Sequence, residues 1–141
     1  MEQTPVIIVD EDFDDVEIIK EVWRELRFEQ PLVFLKNADE LIAYLHSGKP
    51  LPLVIVSDIQ LPKMSGFELK QSLMRNETTN INSIPFVFMS GSASEAEIKK
   101  AYDLCSHGFF IKGRSFDAIK DSFRDIVSYW SKSRVPEKQH K

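Results

Sequence analysis

Polar residues stand where the apolar runs of this chain stop. Val6-Ile7-Ile8-Val9 runs into Asp10 and Glu11, the run from Leu53 into Asp58, Phe86 to Met89 into Ser90, and Phe109-Phe110-Ile111 into Lys112. Each alone has a plainer reading: an acid after a strand starts a turn, a serine caps a helix, a lysine is a solvated surface group. Together they form a chemical set. Three carboxylates in one small cleft repel one another unless a cation holds them. Oxygen donors with no His or Cys nearby suit Mg²⁺. A Mg²⁺ and a lysine beside one carboxylate make a seat for a phosphoryl group, the lysine supplying a point charge and the serine hydroxyl a hydrogen bond. The third carboxylate can then act as nucleophile and form an aspartyl phosphate. Positioning and charge stabilisation are most of what phosphoryl transfer asks of a protein.

That chemistry requires the runs to end at one edge. Residues 6–9, 32–35, 53–57, 86–89 and 109–111 are short, apolar and bounded by turn residues, the pattern of strands buried on both faces. Between them the spacing turns helical. Val16, Ile19, Val22, Trp23 and Leu26 share a face from Phe13 to about Phe28, with Asp14 and Asp15 at the positive end of the helix dipole and Gln30-Pro31 as the break. Asn37 with Glu40, Ser65 with Glu68, and Ser94 with Glu97 have capping-box spacing, and Ser115 can cap the last helix. The helix from Ser94 should bury Ile98, Ala101, Tyr102 and Cys105; the last should bury Phe116, Ile119, Phe123, Ile126 and Trp130. The order is strand then helix, five times over: an α/β fold with a doubly wound, five-stranded parallel sheet. Sites in such sheets lie outside the carboxyl ends of the strands.

At 141 residues the chain is the size of one domain, and its net charge of -4 argues against general nucleic-acid binding. Cys105 is the one cysteine, so no internal disulfide or multi-cysteine metal site forms. The start has no basic region, and no apolar run is long enough to span a membrane, so a cytoplasmic protein without membrane contact is expected. Met64, Met74, Met89 and Trp23 read as packing residues, and His46, His107 and His140 have no ligand spacing. The domain is expected over 1–131, with 132–141 as a polar, disordered tail.

The acidic cluster after the first strand, Asp58-x-x-x-Pro62-x-Met64-x-Gly66, Ser90, and Phe109-x-x-Lys112 occur in an order and spacing that resembles the receiver domain of two-component response regulators (CheY-like), from about Thr4 to Ser131. The opening Asp10-Glu11-Asp12-Phe13-Asp14-Asp15 looks most like the single-domain regulators related to phytochrome response regulators. The resemblance implies strand order 2-1-3-4-5 and a stand-alone regulator of a two-component or phosphorelay system. It makes Asp58 the phosphoacceptor. Asp10, Glu11, Asp58 and the Gln60 backbone carbonyl become the Mg²⁺ ligands, Ser90 and Lys112 the groups that meet the phosphoryl oxygens, and Phe109 the aromatic switch. Gln60 and Ser92 would tune the phosphate lifetime. The output face would be the fourth helix, fifth strand and fifth helix. The implied partners are a histidine kinase or histidine phosphotransfer protein and a protein target. Direct DNA binding is not expected, and the protein would be a monomer or homodimer. It would be no enzyme beyond its own phosphorylation and dephosphorylation.

Two positions depart from the family pattern. Glu11 stands where Asp is common, and Gly113 follows the lysine where Pro is usual, so a trans bond and a different loop are expected there. A pseudo-receiver that is never phosphorylated is a competing reading, opposed by the intact Asp58, Ser90 and Lys112. A phosphatase of the haloacid-dehalogenase type is another, opposed by Gln60 where that family has its second acid.

Overall fold

A computed structural model describes residues 4–61, 63–76 and 81–135. Pro62, part of the expected loop motif, and the tail from 136 onward lie outside the described residues. The five apolar runs become β1 (Val6–Val9), β2 (Leu32–Leu35), β3 (Val54–Asp58), β4 (Phe86–Ser90) and β5 (Gly108–Ile111). The helices are α1 (Phe13–Leu26), α2 (Ala38–Leu45), α3 (Gly66–Arg75), α4 (Glu95–Asp103) and α5 (Phe116–Lys132). The strands pair in parallel in the order β2-β1-β3-β4-β5, as expected.

Alternation along each strand sorts the core into two layers. Ile7, Val9, Ile55, Phe86 and Phe88 face α2, α3 and α4 through Leu41, Leu69, Leu73 and Ala101. Val6, Ile8, Val54, Val56, Val87 and Met89 face α1 and α5 through Ile19, Val22, Trp23, Phe123 and Ile126. Burial on both faces is why the strand runs are continuously apolar. Because every strand pair is parallel, the carboxyl ends of all five strands lie along one edge of the sheet.

The caps fall mainly where their spacing indicates. Ser65 with Glu68 and Ser94 with Glu97 close reciprocal boxes. At α2 the Asn37 side chain accepts from the Glu40 N–H, but Glu40 Oε1 accepts instead from the Lys36 N–H, one residue before the cap. α1 ends at Leu26, before Gln30-Pro31, because Arg27 takes a left-handed conformation (φ 53°) and donates its N–H to the Trp23 carbonyl. α5 continues through Lys132, one residue into the expected tail.

The α4 expectation holds only in part. Ala101 is fully buried and Ile98 half-buried, whereas Tyr102 is 55% exposed and Cys105 lies in the exposed turn after the helix, at φ 61°. α4 covers the sheet near its edge, so a stripe narrower than its sequence pattern finds partners. Met74 is likewise exposed on the outer side of α3. Lys70 goes the other way: it is fully buried, with its ammonium 5.0 Å from the Phe86 ring centre, and burial lowers its pKa.

Candidate functional site

Strand register brings the carboxylates together. Val9 lies opposite Ser57 in the β1–β3 ladder, so the next residues, Asp10 and Asp58, leave the sheet side by side. Each is then oriented locally. Asp10 Oδ1 accepts from the Asp12 N–H at 2.9 Å, and Asp58 Oδ1 accepts from the Gln60 N–H at 3.1 Å. Lys112 arrives from β5, its N–H donated to the Ser90 carbonyl at 2.6 Å. Lys112 is largely buried and borders a small apolar pocket together with Ile19, Met89, Ile119 and Phe123. Its ammonium emerges 2.7 Å from Asp15 Oδ2, 3.3 Å from Asp58 Oδ2 and 3.6 Å from Asp10 Oδ2.

The sequence marks Asp15 only as a favourable charge at a helix start. It is in fact the shortest contact of the lysine. Asp12 caps α1 by accepting from the Asp15 N–H at 3.1 Å, which sets the first turn. Asp15 then sits three, four and seven residues before Ile18, Ile19 and Val22, on the sheet-facing side of α1. That spacing was the available signal.

Asp10, Asp15 and Asp58 each present a carboxylate oxygen within 4.8 Å of the other two. An all-oxygen set of this kind fits a hard divalent cation such as Mg²⁺. The cleft they line measures about 560 Å³ and includes Glu11, Gln60 and Gly91. Glu11 is exposed, lies outside the three-carboxylate cluster, and also borders a second concavity beside Lys36 and Lys63.

Burial is the main cause of the shift at Asp10, whose carboxyl is pushed up to about 7; the nearby charges of Asp15 and Asp58 add to it, while the Asp12 N–H and Lys112 oppose it. Burial also works against the charge on Lys112. There the hydrogen bond to Asp15 and the charges of Asp58, Asp10 and Asp15 win, and its pKa rises above the ordinary lysine value.

A carboxyl with a raised folded-state pKa is protonated in the native protein where the unfolded chain has already ionised. Stability is then lost as pH rises from about 4 to about 7. The metal-free protein should therefore lose on the order of 2 kcal/mol between pH 5 and pH 8, measured by urea unfolding. Asp10→Asn should flatten that profile, and an unchanged slope would contradict it.

A family model for the response regulator receiver domain matches residues 6–124. The chain belongs to the receiver domain family. Among curated relatives of this receiver domain, a probable methanogenesis regulatory protein, FilR2 of Methanothrix harundinacea, is 26% identical over 129 residues, covering 89% of this chain and 82% of the relative. Among solved structures, the phosphorylated cyanobacterial phytochrome response regulator RcpA superposes with TM-score 0.83 at 22% identity, over 96% of this chain and all of that one. The Mn²⁺-bound form of the response regulator Rcp1 superposes with TM-score 0.80 at 22% identity, over 95% of this chain and 99% of that one.

The remaining positions expected from the receiver pattern are placed as follows. Ser90 is buried at the end of β4, and its hydroxyl donates to the Ser92 carbonyl at 2.7 Å, engaged with its own loop rather than with Asp58. Phe109 lies opposite Phe88 in the β4–β5 ladder, half-buried against the α4 side of the core. Gln60 borders the cleft. The Lys112–Gly113 peptide is trans. A Cβ on Gly113 would collide with the Ala118 side chain in the first turn of α5, which is a packing reason for glycine here. Among the described residues no helix is long and apolar enough to cross a membrane.

Proposed function

We propose that this receiver domain is a phosphorylation-operated switch in which Asp58 accepts a phosphoryl group from a phosphohistidine donor. One observation carries the reading. Asp58 Oδ1 is tied to the Gln60 N–H, while Oδ2 faces the cleft with the Lys112 ammonium 3.3 Å away. Oδ2 attacks phosphorus, the phosphorus–nitrogen bond of the donor breaks, and its electron pair stays on the imidazole. Lys112 meets the charge on the phosphoryl oxygens. Asp10, Glu11 and Asp58, with the Gln60 carbonyl, are the groups that would hold Mg²⁺, which when bound neutralises the phosphoryl charge. That the Rcp1 neighbour was solved in a Mn²⁺-bound form supports binding of a divalent ion by this chain.

Relay to the surface runs through Ser90 and Phe109. For Ser90 to meet the phosphoryl group its hydroxyl must leave the Ser92 carbonyl. That movement opens room on the α4 side, into which Phe109 turns. α4, β5 and α5 form the output face, where Tyr102, Ile111 and Tyr129 stand exposed. Gln60 and Ser92 flank the Asp58 and Ser90 loops and tune the phosphate lifetime. Donor and target are proteins, the setting is the cytoplasm, and the regulator is of the phytochrome-related type.

Incubation with a small acyl-phosphate donor and Mg²⁺, followed by intact-mass spectrometry, tests the proposal. One phosphoryl adduct is expected on the wild type and none on Asp58→Asn. An unmodified wild type, or an equal adduct on the variant, refutes it and favours a pseudo-receiver.

A further inference from the structure

We infer that Asp15 is the positioning residue for Lys112, holding the ammonium back from Asp58 so that the attacking oxygen carries no more than a long hydrogen bond from the lysine. This rests on the phosphoacceptor reading of Asp58. Three observations carry it. Asp15 makes the shortest of the lysine's three carboxylate contacts, 2.7 Å against 3.3 Å to Asp58 and 3.6 Å to Asp10. It stands on the first turn of a 14-residue helix whose cap, Asp12, binds the Asp15 N–H, so its carboxylate is delivered from a rigid element. The lysine side chain is only 17% exposed, and three carboxylates stand within 3.6 Å of its ammonium, so a shift away from one brings it toward another.

The consequence follows from Asp58. Its Oδ1 is occupied by the Gln60 N–H, and the oxygen left for attack, Oδ2, is the one facing Lys112. With the charge on Asp15 removed, the ammonium is drawn to the remaining anions and closes on that oxygen. A tight ion pair there masks the nucleophile and takes the lysine out of line with the arriving phosphoryl oxygens. Asp15 thus balances Lys112 between two duties: neutralising the acidic edge at rest and receiving the phosphoryl charge during transfer.

Asp15 also belongs to the set of oxygens close enough to share a cation, so the test must separate positioning from metal ligation. Full-length wild type, Asp15→Asn and Asp15→Glu are compared in three measurements: phosphorylation rate by a small acyl-phosphate donor at saturating Mg²⁺, Mn²⁺ affinity by electron paramagnetic resonance, and the ammonium signal of Lys112 in nitrogen-labelled protein. Asp15→Asn should slow phosphorylation roughly tenfold, leave Mn²⁺ affinity unchanged, and lose the slowly exchanging Lys112 signal. Asp15→Glu should recover part of both rate and signal. A wild-type rate in Asp15→Asn overturns the inference, as does a rate loss that tracks weakened Mn²⁺ binding. Should the wild type itself take up no phosphoryl group, the phosphoacceptor reading fails; persistence of the Lys112 signal in Asp15→Asn would then overturn the positioning role independently.

Discussion

Lys112→Met should destabilise the protein by about 3 kcal/mol at pH 8 and slow phosphorylation by roughly a hundredfold. Methionine keeps an apolar stem beside Ile19, Met89, Ile119 and Phe123, so the change removes mainly the ammonium. What remains is three carboxylates within 4.8 Å of one another, with no lysine among them. Removing one partner from a largely buried charge cluster costs more than the pair itself contributes, because the others keep their desolvation penalty. The pH dependence identifies the cause. Asp10 already carries a folded-state pKa of about 7, and losing Lys112 takes away an interaction that lowers it. Below that pH the cluster takes up protons in the native state, so the deficit should shrink as pH falls toward 5. A saturating divalent cation should narrow it at pH 8. Urea unfolding of wild type and variant at pH 5 and pH 8 checks this; a deficit independent of pH would mean that lost packing, not lost charge, governs the variant.

The second large effect lies at Gly66. An alanine there would ordinarily stabilise the first turn of α3 by up to about 1 kcal/mol, since alanine is the better helix former. The close approach of α3 to the end of β3 reverses that sign. The Gly66 N–H donates to the Ile59 carbonyl at 2.7 Å, and an added Cβ would collide with the Asp58 carbonyl and sit 3.0 Å from Ile59 Cα. These neighbours are backbone and cannot turn aside. Gly66→Ala is therefore expected to destabilise by about 2–3 kcal/mol, a clear drop in the thermal midpoint. It should also impair phosphorylation, because the displaced backbone carries Asp58. Gly91→Ala is the control: a Cβ there meets nothing within 4 Å, so its midpoint should stay near that of the wild type. Equal midpoints for Gly66→Ala and wild type would remove the packing argument for this glycine.

Much of the fold was legible because its signals are local. Continuous apolar runs of three or four residues point to doubly covered strands, and the Ser65 and Ser94 caps act within one helical turn. Parallel strands joined by right-handed crossovers must all present their carboxyl ends at one edge. The convergence of Asp10, Asp58, Ser90 and Lys112 on that edge thus follows from element order. Which strand neighbours which came from family resemblance; the backbone ladders in the structure agree with it.

Decisions that depend on distant partners were not legible. Whether Tyr102 is covered depends on how much sheet lies beneath α4, and it is left exposed. Lys70 carries an outward-facing residue type into the core because the Phe86 ring lies within reach of its ammonium. The Ser90 hydroxyl finds its partner in its own loop, a rotamer choice that composition does not record. Most consequential is Asp15. The sequence by itself determined that acids crowd the start of α1 and that Lys112 ends β5. Only the tertiary structure decided which acid the lysine meets, because that depends on how α1 is rotated against the sheet.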